Sequence, residues 1–478
     1  MEVDSTKPKK HTMLNKSTVQ LMALGLVGSF AATAAAQDSG ALIDALVRKG
    51  VLKDQEAEQI RSQLSRDYAA NTPAGKLNIS SSVKELKLSG DVRLRYQYEN
   101  QAAVANSAAQ GVQPASGVED HRTRYRLRLR VNADYKLADD FFAGFGLQTG
   151  QNNDSGNQTM ADGTVNQNYA IYINKAFIGW SGIPGITLVG GKQVNPFYTT
   201  DLVWDADINP TGVTERIEFN KFVDLGPLEL ALVGGQFVAT DNTESATSGK
   251  TNRDAIIYHT QLVAGLKLTD DVKLTVAPGY YTSNGASLSG DGGGEYNYTK
   301  WSSTGTEQLR GLKVYTAPGD VSFKLAGKPA KVLWDFAWNA DANNRNSLYR
   351  LGTTGSVTNA NAAKLTNSDR DSLAYLVGFS IGENKKKGDW SVLANYRQVG
   401  LSAIDPNIND SDWSLSYTNM AGYKVGFFYN LGDATTIGST FYSANNLRDN
   451  LGGGLSAVGP GSGANAVQVL QVDLSVKF

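Results

Sequence analysis

The chain has 478 residues, 41% of them hydrophobic, with 45 basic against 46 acidic residues and no cysteine. Without cysteine there are no disulfides, thiolate metal sites or cysteine nucleophiles, and the near-neutral balance leaves no overall nucleic-acid footprint. Past Ala36 no apolar run approaches the ~18 residues of a membrane helix, which excludes a helical membrane protein but not one that crosses with alternating strands.

Lys7, Lys9, Lys10 and Lys16 precede an apolar stretch from Val19 to Ala35, and Ala34-Ala35-Ala36 offers a small-residue cut before Gln37. Basic region, short apolar core and small residues at the cut are the pattern of a secretory signal peptide over 1–36. Translation from Met1 or from Met13 is compatible with it. No cysteine follows the cut, so no lipoprotein anchor is expected.

From Ser39 to Leu64 the spacing is helical. Leu42, Ile43 and Leu46 cluster before Lys49-Gly50, and Ala57, Ile60 and Leu64 share a stripe after it. The segment 37–75 reads as a short periplasmic helical or coiled-coil element, closed by Thr72-Pro73-Ala74-Gly75. It is too small to bury a core alone. It is either an oligomerisation element or tether, or a linker.

From about Lys84 the period changes to two. Leu86, Leu88, Val92, Leu94, Tyr96 and Tyr98 form one face of the first strand, and Lys87, Asp91, Arg93, Arg95 and Gln97 the other. In the second, Tyr125, Leu127, Leu129 and Val131 oppose Arg124, Arg126, Arg128 and Arg130. Further strands are predicted near 141–150, 169–180, 185–194, 214–223, 227–239, 254–268, 272–283, 309–326, 331–341, 372–382, 389–399, 415–430, 435–445 and 466–478, sixteen in all. Tight turns alternate with long polar loops, among them 151–168, 195–213 and 400–414. That alternation is the mark of a meander whose two ends face different compartments, and an even strand number returns both chain ends to the short-turn side. Ala317-Pro318-Gly319-Asp320 reads as a bulge or an extra turn.

A soluble sandwich would show the same period. Three features favour lipid. The strands exceed the usual ~5–6 residues. Aromatic residues concentrate near strand ends, as in interfacial girdles: Tyr96, Tyr98, Trp180, Phe197, Tyr198, Trp334, Trp338, Trp390, Trp413 and Phe478. The chain also ends on an alternating strand, Leu470 to Phe478, which resembles the terminal strand of bacterial outer-membrane barrels, whose last aromatic residue the assembly machinery recognises. The expected fold is all-β: a 16-stranded antiparallel transmembrane β-barrel over 84–478, closed because unpaired backbone groups in lipid cost several kcal/mol each.

Within Tyr172 to Val213 the elements KAFIGW, PGITLVGGKQVNPF and DLVWDADINPTGV resemble the putative-porin family of bacterial outer membranes, a relative of the general and phosphate-selective porins. The resemblance implies a water-filled channel for passive diffusion of small hydrophilic solutes and ions, usually a homotrimer. It also implies that the third long loop, Asn195-Pro196-Phe197 through Pro210-Thr211-Gly212, folds into the barrel and narrows it. No cofactor, metal or nucleic acid is expected. The partners expected are outer-membrane lipid, the assembly machinery through Phe478, and the solutes, in the outer membrane of a Gram-negative-type bacterium. An anion- or phosphate-oriented channel and a plugged structural or adhesive barrel stay open as alternatives.

Arg93, Arg95, Arg124, Arg126, Arg128 and Arg130 share the inward face of the first two strands. Alternate residues on a strand lie ~6.7 Å apart and neighbouring strands ~4.8 Å apart, so these guanidiniums form one wall. Asp201, Asp205 and Asp207 stand in the expected constriction loop. One reading sets basic wall and acidic loop across the narrowest point, with a transverse field between them. The other pairs the arginines with Asp91, Asp134 and Glu218. Asp205-Ala206-Asp207-Ile208-Asn209 opens like a calcium loop, but Pro210 stands where an EF-hand needs Gly and Arg216 where it needs Glu. His11, His121 and His259 have no serine or carboxylate placed for hydrolysis, so no enzyme is expected.

Overall fold

Alternation of apolar and polar residues becomes an antiparallel ladder from Val83 to Lys477. The computed structural model describes residues 43, 46–49, 53, 56–61, 80–103, 119–150, 155–161, 163, 165–240, 255–284, 312–343, 345–346, 368–448 and 464–478. The chain divides into two units, Met1–Ser80 and Ser81–Phe478. The expected signal peptide and most of the segment 37–75 lie outside the described residues. Within that segment Ile43, 46–48 and 56–61 are helical. The Lys53 N–H donates to Glu56 Oε2 at 3.0 Å, a carboxylate at a helix start, and Arg61 Nη1 reaches Glu58 Oε1 at 2.7 Å.

The second unit holds one 19-membered sheet. Its ladder segments are β1 (Val83–Ala103), β2 (Glu119–Leu137), β3 (Phe141–Thr149), β4 (Gln158–Thr159), β5 (Ile171–Trp180), β6 (Ile186–Lys192), β7 (Thr211–Glu218), β8 (Leu228–Thr240), β9 (Ala255–Lys267), β10 (Lys273–Val276), β11 (Gly279–Asn284), β12 (Lys313–Thr316), β13 (Gly319–Leu325), β14 (Lys328–Asn339), β15 (Leu373–Gly382), β16 (Trp390–Val399), β17 (Met420–Gly432), β18 (Thr435–Asn446) and β19 (Ala464–Lys477). β10 and β11 are halves of one crossing, because both pair with β9. β12 and β13 are halves of another, because both pair with β14. β4 is a two-residue ladder beside β2. The wall is therefore a closed 16-strand antiparallel barrel, with β1 paired to β19 at the seam.

The halving of two crossings has one cause. Pro278 and Pro318 have no N–H to donate. The alanine before each proline donates instead: Ala277 N–H to the Pro318 carbonyl and Ala317 N–H to the Phe336 carbonyl, both at 2.8 Å. The segment Ala317-Pro318 is thus a break within a strand and not an extra turn.

The two faces invert the pattern of a soluble protein. Outside, Leu88, Leu94, Tyr125 and Ile178 are 61%, 48%, 61% and 64% exposed, and Phe336, Val377, Phe427 and Leu474 continue the belt. A contiguous apolar belt of this kind needs an apolar solvent around it. Inside, Arg95, Gln97, Glu99, His259, Gln261, Asp335 and Arg397 are buried.

An apolar core also lies within the barrel, and two loops supply its centre. Leu202, Val203, Trp204 and Ile208 come from 193–210; Ile404, Ile408, Trp413 and Tyr417 come from 400–419. They pack with Val233, Phe237, Leu376, Val399, Val467 and Val469, which point inward from the wall. The sequence reading of 400–414 as an outer polar loop is corrected, since Leu401, Ile404 and Ile408 are fully buried, and so is the placing of Phe197 and Trp413 in an interfacial girdle, since both are buried in this core. The strand expected from 415 begins at Met420, because Ser414, Leu415, Ser416 and Asn419 hold left-handed backbone angles.

At the seam the Gly90 N–H donates to the Phe478 carbonyl at 2.9 Å and the Phe478 N–H donates back at 3.1 Å. A Cβ on Gly90 would collide with the Arg130 carbonyl oxygen and the Phe478 ring. Gly90→Val is therefore expected to loosen closure, read as a lower fraction of heat-resistant folded barrel on a semi-native gel than wild type gives.

Candidate functional site

The β1–β2 register sets Arg93 opposite Arg128, Arg95 opposite Arg126, Gln97 opposite Arg124 and Asp91 opposite Arg130. Like charges directly opposite one another destabilise a ladder. Five carboxylates relieve this wall. Asp91 accepts from Arg128 Nη2 at 2.8 Å and from Arg130 Nε at 2.6 Å. Asp473, brought beside Arg95 by barrel closure, accepts a bidentate pair from it at 2.7 and 2.8 Å, and lies 3.8 Å from Arg93 Nη1. Glu99 pairs with Arg124, and Asp412 with Arg95 at 3.4 Å. The fifth is Asp207. Among the described residues Arg126 has no carboxylate within 4.0 Å; it donates to Gln97 Oε1 at 3.1 Å and to the Asn157 carbonyl at 3.3 Å. Asp91 is thus a partner that the sequence named. Glu218 is not, since it binds Arg216 at 3.1 Å.

The three aspartates of the loop 193–210 divide. Asp207 faces the wall, 3.7 Å from Arg130 Nη1 and 3.9 Å from Arg128 Nη1. Asp201 turns away to Lys424 Nζ at 2.6 Å and Arg397 Nη2 at 3.8 Å. Asp205 Oδ2 accepts from the Ser411 N–H and Oγ–H at 2.9 Å each, and the Asp205 N–H donates to the Ile408 carbonyl at 2.7 Å. Asp201 and Asp205 therefore tie one loop to the opposite wall and to the other loop. Sequence reasoning missed this second cluster, in which Arg397 also meets Asp410 at 3.0 Å and lies over the Trp413 ring. Arg397 and Lys424 do sit at inward positions of alternating strands, which is a readable signal; their partner loop left none.

The loop has two faces. Trp204 packs edge-on against Phe237, and Phe197 stacks on His259 with centroids 3.7 Å apart. His259 is sealed there, and neither ring nitrogen has a hydrogen-bond partner. On the other face a polar cavity of about 430 Å³ lies between Asp207 and the wall at Asp91 and Arg130. Among the described residues no group of His, Asp and Glu is arranged to hold a metal. The calcium-like opening is a simple turn, in which the Asp207 N–H donates to Asp205 Oδ1 at 2.9 Å.

Burial pushes the Asp205 carboxyl up to about 8, helped by Asp410 and Asp207, although the N–H groups of Ser411 and Asp207 favour its charge. Lys424 and then Arg397 hold Asp201 down, to about 2. A carboxyl raised in the folded state stabilises it most below the unfolded value of 3.8, and that contribution is lost as pH rises through about 8. The tie between the loops is therefore expected to weaken progressively from acidic pH to about pH 8. Current fluctuations recorded between pH 6 and 10 should grow in wild type up to about pH 8, level off above it, and stay flat in Asp205→Asn.

The family described as putative porin matches residues 31–291 and 320–478. No curated protein matches the chain. Among solved structures, a doubly substituted mutant of the porin from Rh. blastica is 11% identical, with 82% of this chain and 100% of that one covered, at a TM-score of 0.40. A triple mutant of the Rhodopseudomonas blastica porin is 10% identical with the same coverage, at 0.38. By the extent of the family match, this chain belongs to the putative-porin family, and so is an outer-membrane β-barrel of the porin type.

Proposed function

We propose that the barrel passes small hydrophilic solutes and ions down their gradients along an eccentric path through the polar cavity that Asp207, Asp91 and Arg130 line. The observation that carries this reading is the two-faced loop 193–210. Its apolar side belongs to the interior core, while Asp207 borders a polar cavity with Arg130. Six guanidiniums against five carboxylates leave the wall with an excess of one positive charge. Most of that charge is compensated locally, which supports modest anion preference over strict selectivity. No enzymatic role is proposed. Export through residues 1–36 and recognition of Phe478 by the assembly machinery complete the reading.

The interior core favours one competing reading, a plugged structural barrel. Single-channel conductance in a planar bilayer separates the two: steady conductance supports the channel, and silence from well-folded protein supports the plug. In a salt gradient, Arg126→Ala with Arg128→Ala is expected to shift the reversal potential toward cations. An unchanged potential would sink the role given to the wall.

A homotrimer is supported by the outer face of β6–β8. β6 and β7 have 7 and 8 residues, short of the ~9–11 that a lipid-facing strand needs. That face carries Glu215, registered between Leu188 and Gly234, with Oε2 2.9 Å from where a Gly234 Cβ would stand. A carboxylate facing lipid is costly; against the wall of a neighbouring copy it can be hydrogen-bonded. Glu215→Leu is expected to lower the dissociation temperature of the oligomer on a gel, whereas a purely lipid-exposed Glu215 would leave it unchanged or make the barrel more stable.

A further inference from the structure

We infer that a recess beside the constriction, built by a β-bulge at Asn174, is a binding station for small hydroxylated carboxylates of the sugar-acid class. The inference rests on the channel reading and names a solute class for it.

The β3–β5 ladder pairs Gly146 with Lys175 and Leu147 with Ile173, so Asn174 is an extra residue. A bulge of this kind re-aims side chains. Before it Ile171 and Ile173 face outward, 60% and 63% exposed; after it Ile178 does, at 64%. Two consecutive residues, Asn174 and Lys175, are thereby turned toward the interior. Gly146 makes room for them, since a Cβ there would collide with Asn174 Oδ1 and stand 2.9 Å from Lys175 Cε. The bulge and the wall border the cavity of about 430 Å³, lined among others by Arg130, Asn132, Gln148, Asn174, Lys175 and Asp207.

Its chemistry is specific. Asn174 is 7% exposed and donates from Nδ2 to Gln148 Oε1 at 3.0 Å, yet its Oδ1 has no hydrogen-bond partner. A buried acceptor left open is costly unless something donates to it. Among the described residues Lys175 has no carboxylate within 4.0 Å, and Arg130 is near enough to repel it. Of the acidic groups around them, Asp91 is held by Arg128 and Arg130, Asp134 attracts Lys175 from beyond ion-pair distance, and Asp207 lies against Arg128 and Arg130. Lys477 adds a further cation at the cavity edge. Two neighbouring cations suit one carboxylate. The open Asn174 Oδ1, with the amides of Asn132 and Gln148, suits hydroxyl groups on the same small molecule.

The test is block of single-channel current by gluconate, with glucitol (hydroxyls without the carboxylate) and acetate (the carboxylate without hydroxyls) as comparisons. Saturable block by gluconate alone is expected. Its half-blocking concentration should rise roughly tenfold in Lys175→Gln, the scale of one charge-assisted hydrogen bond, and return toward wild type in Lys175→Arg. Equal block by glucitol, or gluconate block unchanged in Lys175→Gln, would overturn the station. A wild-type barrel silent in KCl would instead defeat the channel reading. Equilibrium binding of labelled gluconate to the detergent-solubilised protein and both variants then decides the station separately, and absence of binding to wild type overturns it.

Discussion

In lipid no water completes an open backbone hydrogen bond, and the rest of this structure depends on that constraint. It forces β1 onto β19 and gives every crossing a partner on both sides. It also explains how the two proline breaks are accommodated: they lie beside one another, where the carbonyl of Pro318 takes the N–H of Ala277. With the apolar side chains facing outward, alternation delivers arginine, aspartate and glutamine to the interior. The arginine wall follows from the same register, and so does its compensation. Asp473 reaches Arg95 only because the last strand closes on the first.

A barrel interior made by alternation alone would be polar throughout. Here the wall from β8 to β19 also points Val233, Phe237, Leu376, Val399, Val467 and Val469 inward, and two loops fold in to cover them. Polar space is left on the other side, against β1, β2, β3 and β5. The division is sharp enough that one loop of 193–210 serves both regions, with Trp204 in the core and Asp207 at the arginines. Packed core and polar lining thus fall on opposite faces of one short segment.

Much of the barrel was legible because a period of two is a local signal. Strand number and the inward arginines follow from residues close in sequence, whereas the inward turn of 195–212 came only with the resemblance of Tyr172 to Val213 to the putative-porin family. The second inward loop was not legible. Ile404, Ile408, Trp413 and Leu415 follow no period, and Asp410 and Asp412 between them imitate a solvated loop. Nor could the sequence divide Asp201, Asp205 and Asp207, since which way each points depends on Lys424, Ser411 and Arg130 from distant strands and loops. The bulge at Asn174 was equally silent. The run INKAF keeps a plausible alternation until the register against Gly146 and Leu147 is known.

The two inward loops carry a mechanical consequence. Asp205 with Ser411 and Asp201 with Lys424 join residues 206 and 223 positions apart, on different parts of the circumference. A thin cylinder ordinarily deforms most easily by ovalising, which needs no hydrogen bond in its wall to break. Here an internal strut spans the cross-section, so ovalisation must shear a packed core and two carboxylate ties. The cavity beside Asp207 is consequently held by bracing across the barrel as well as by the stiffness of its wall.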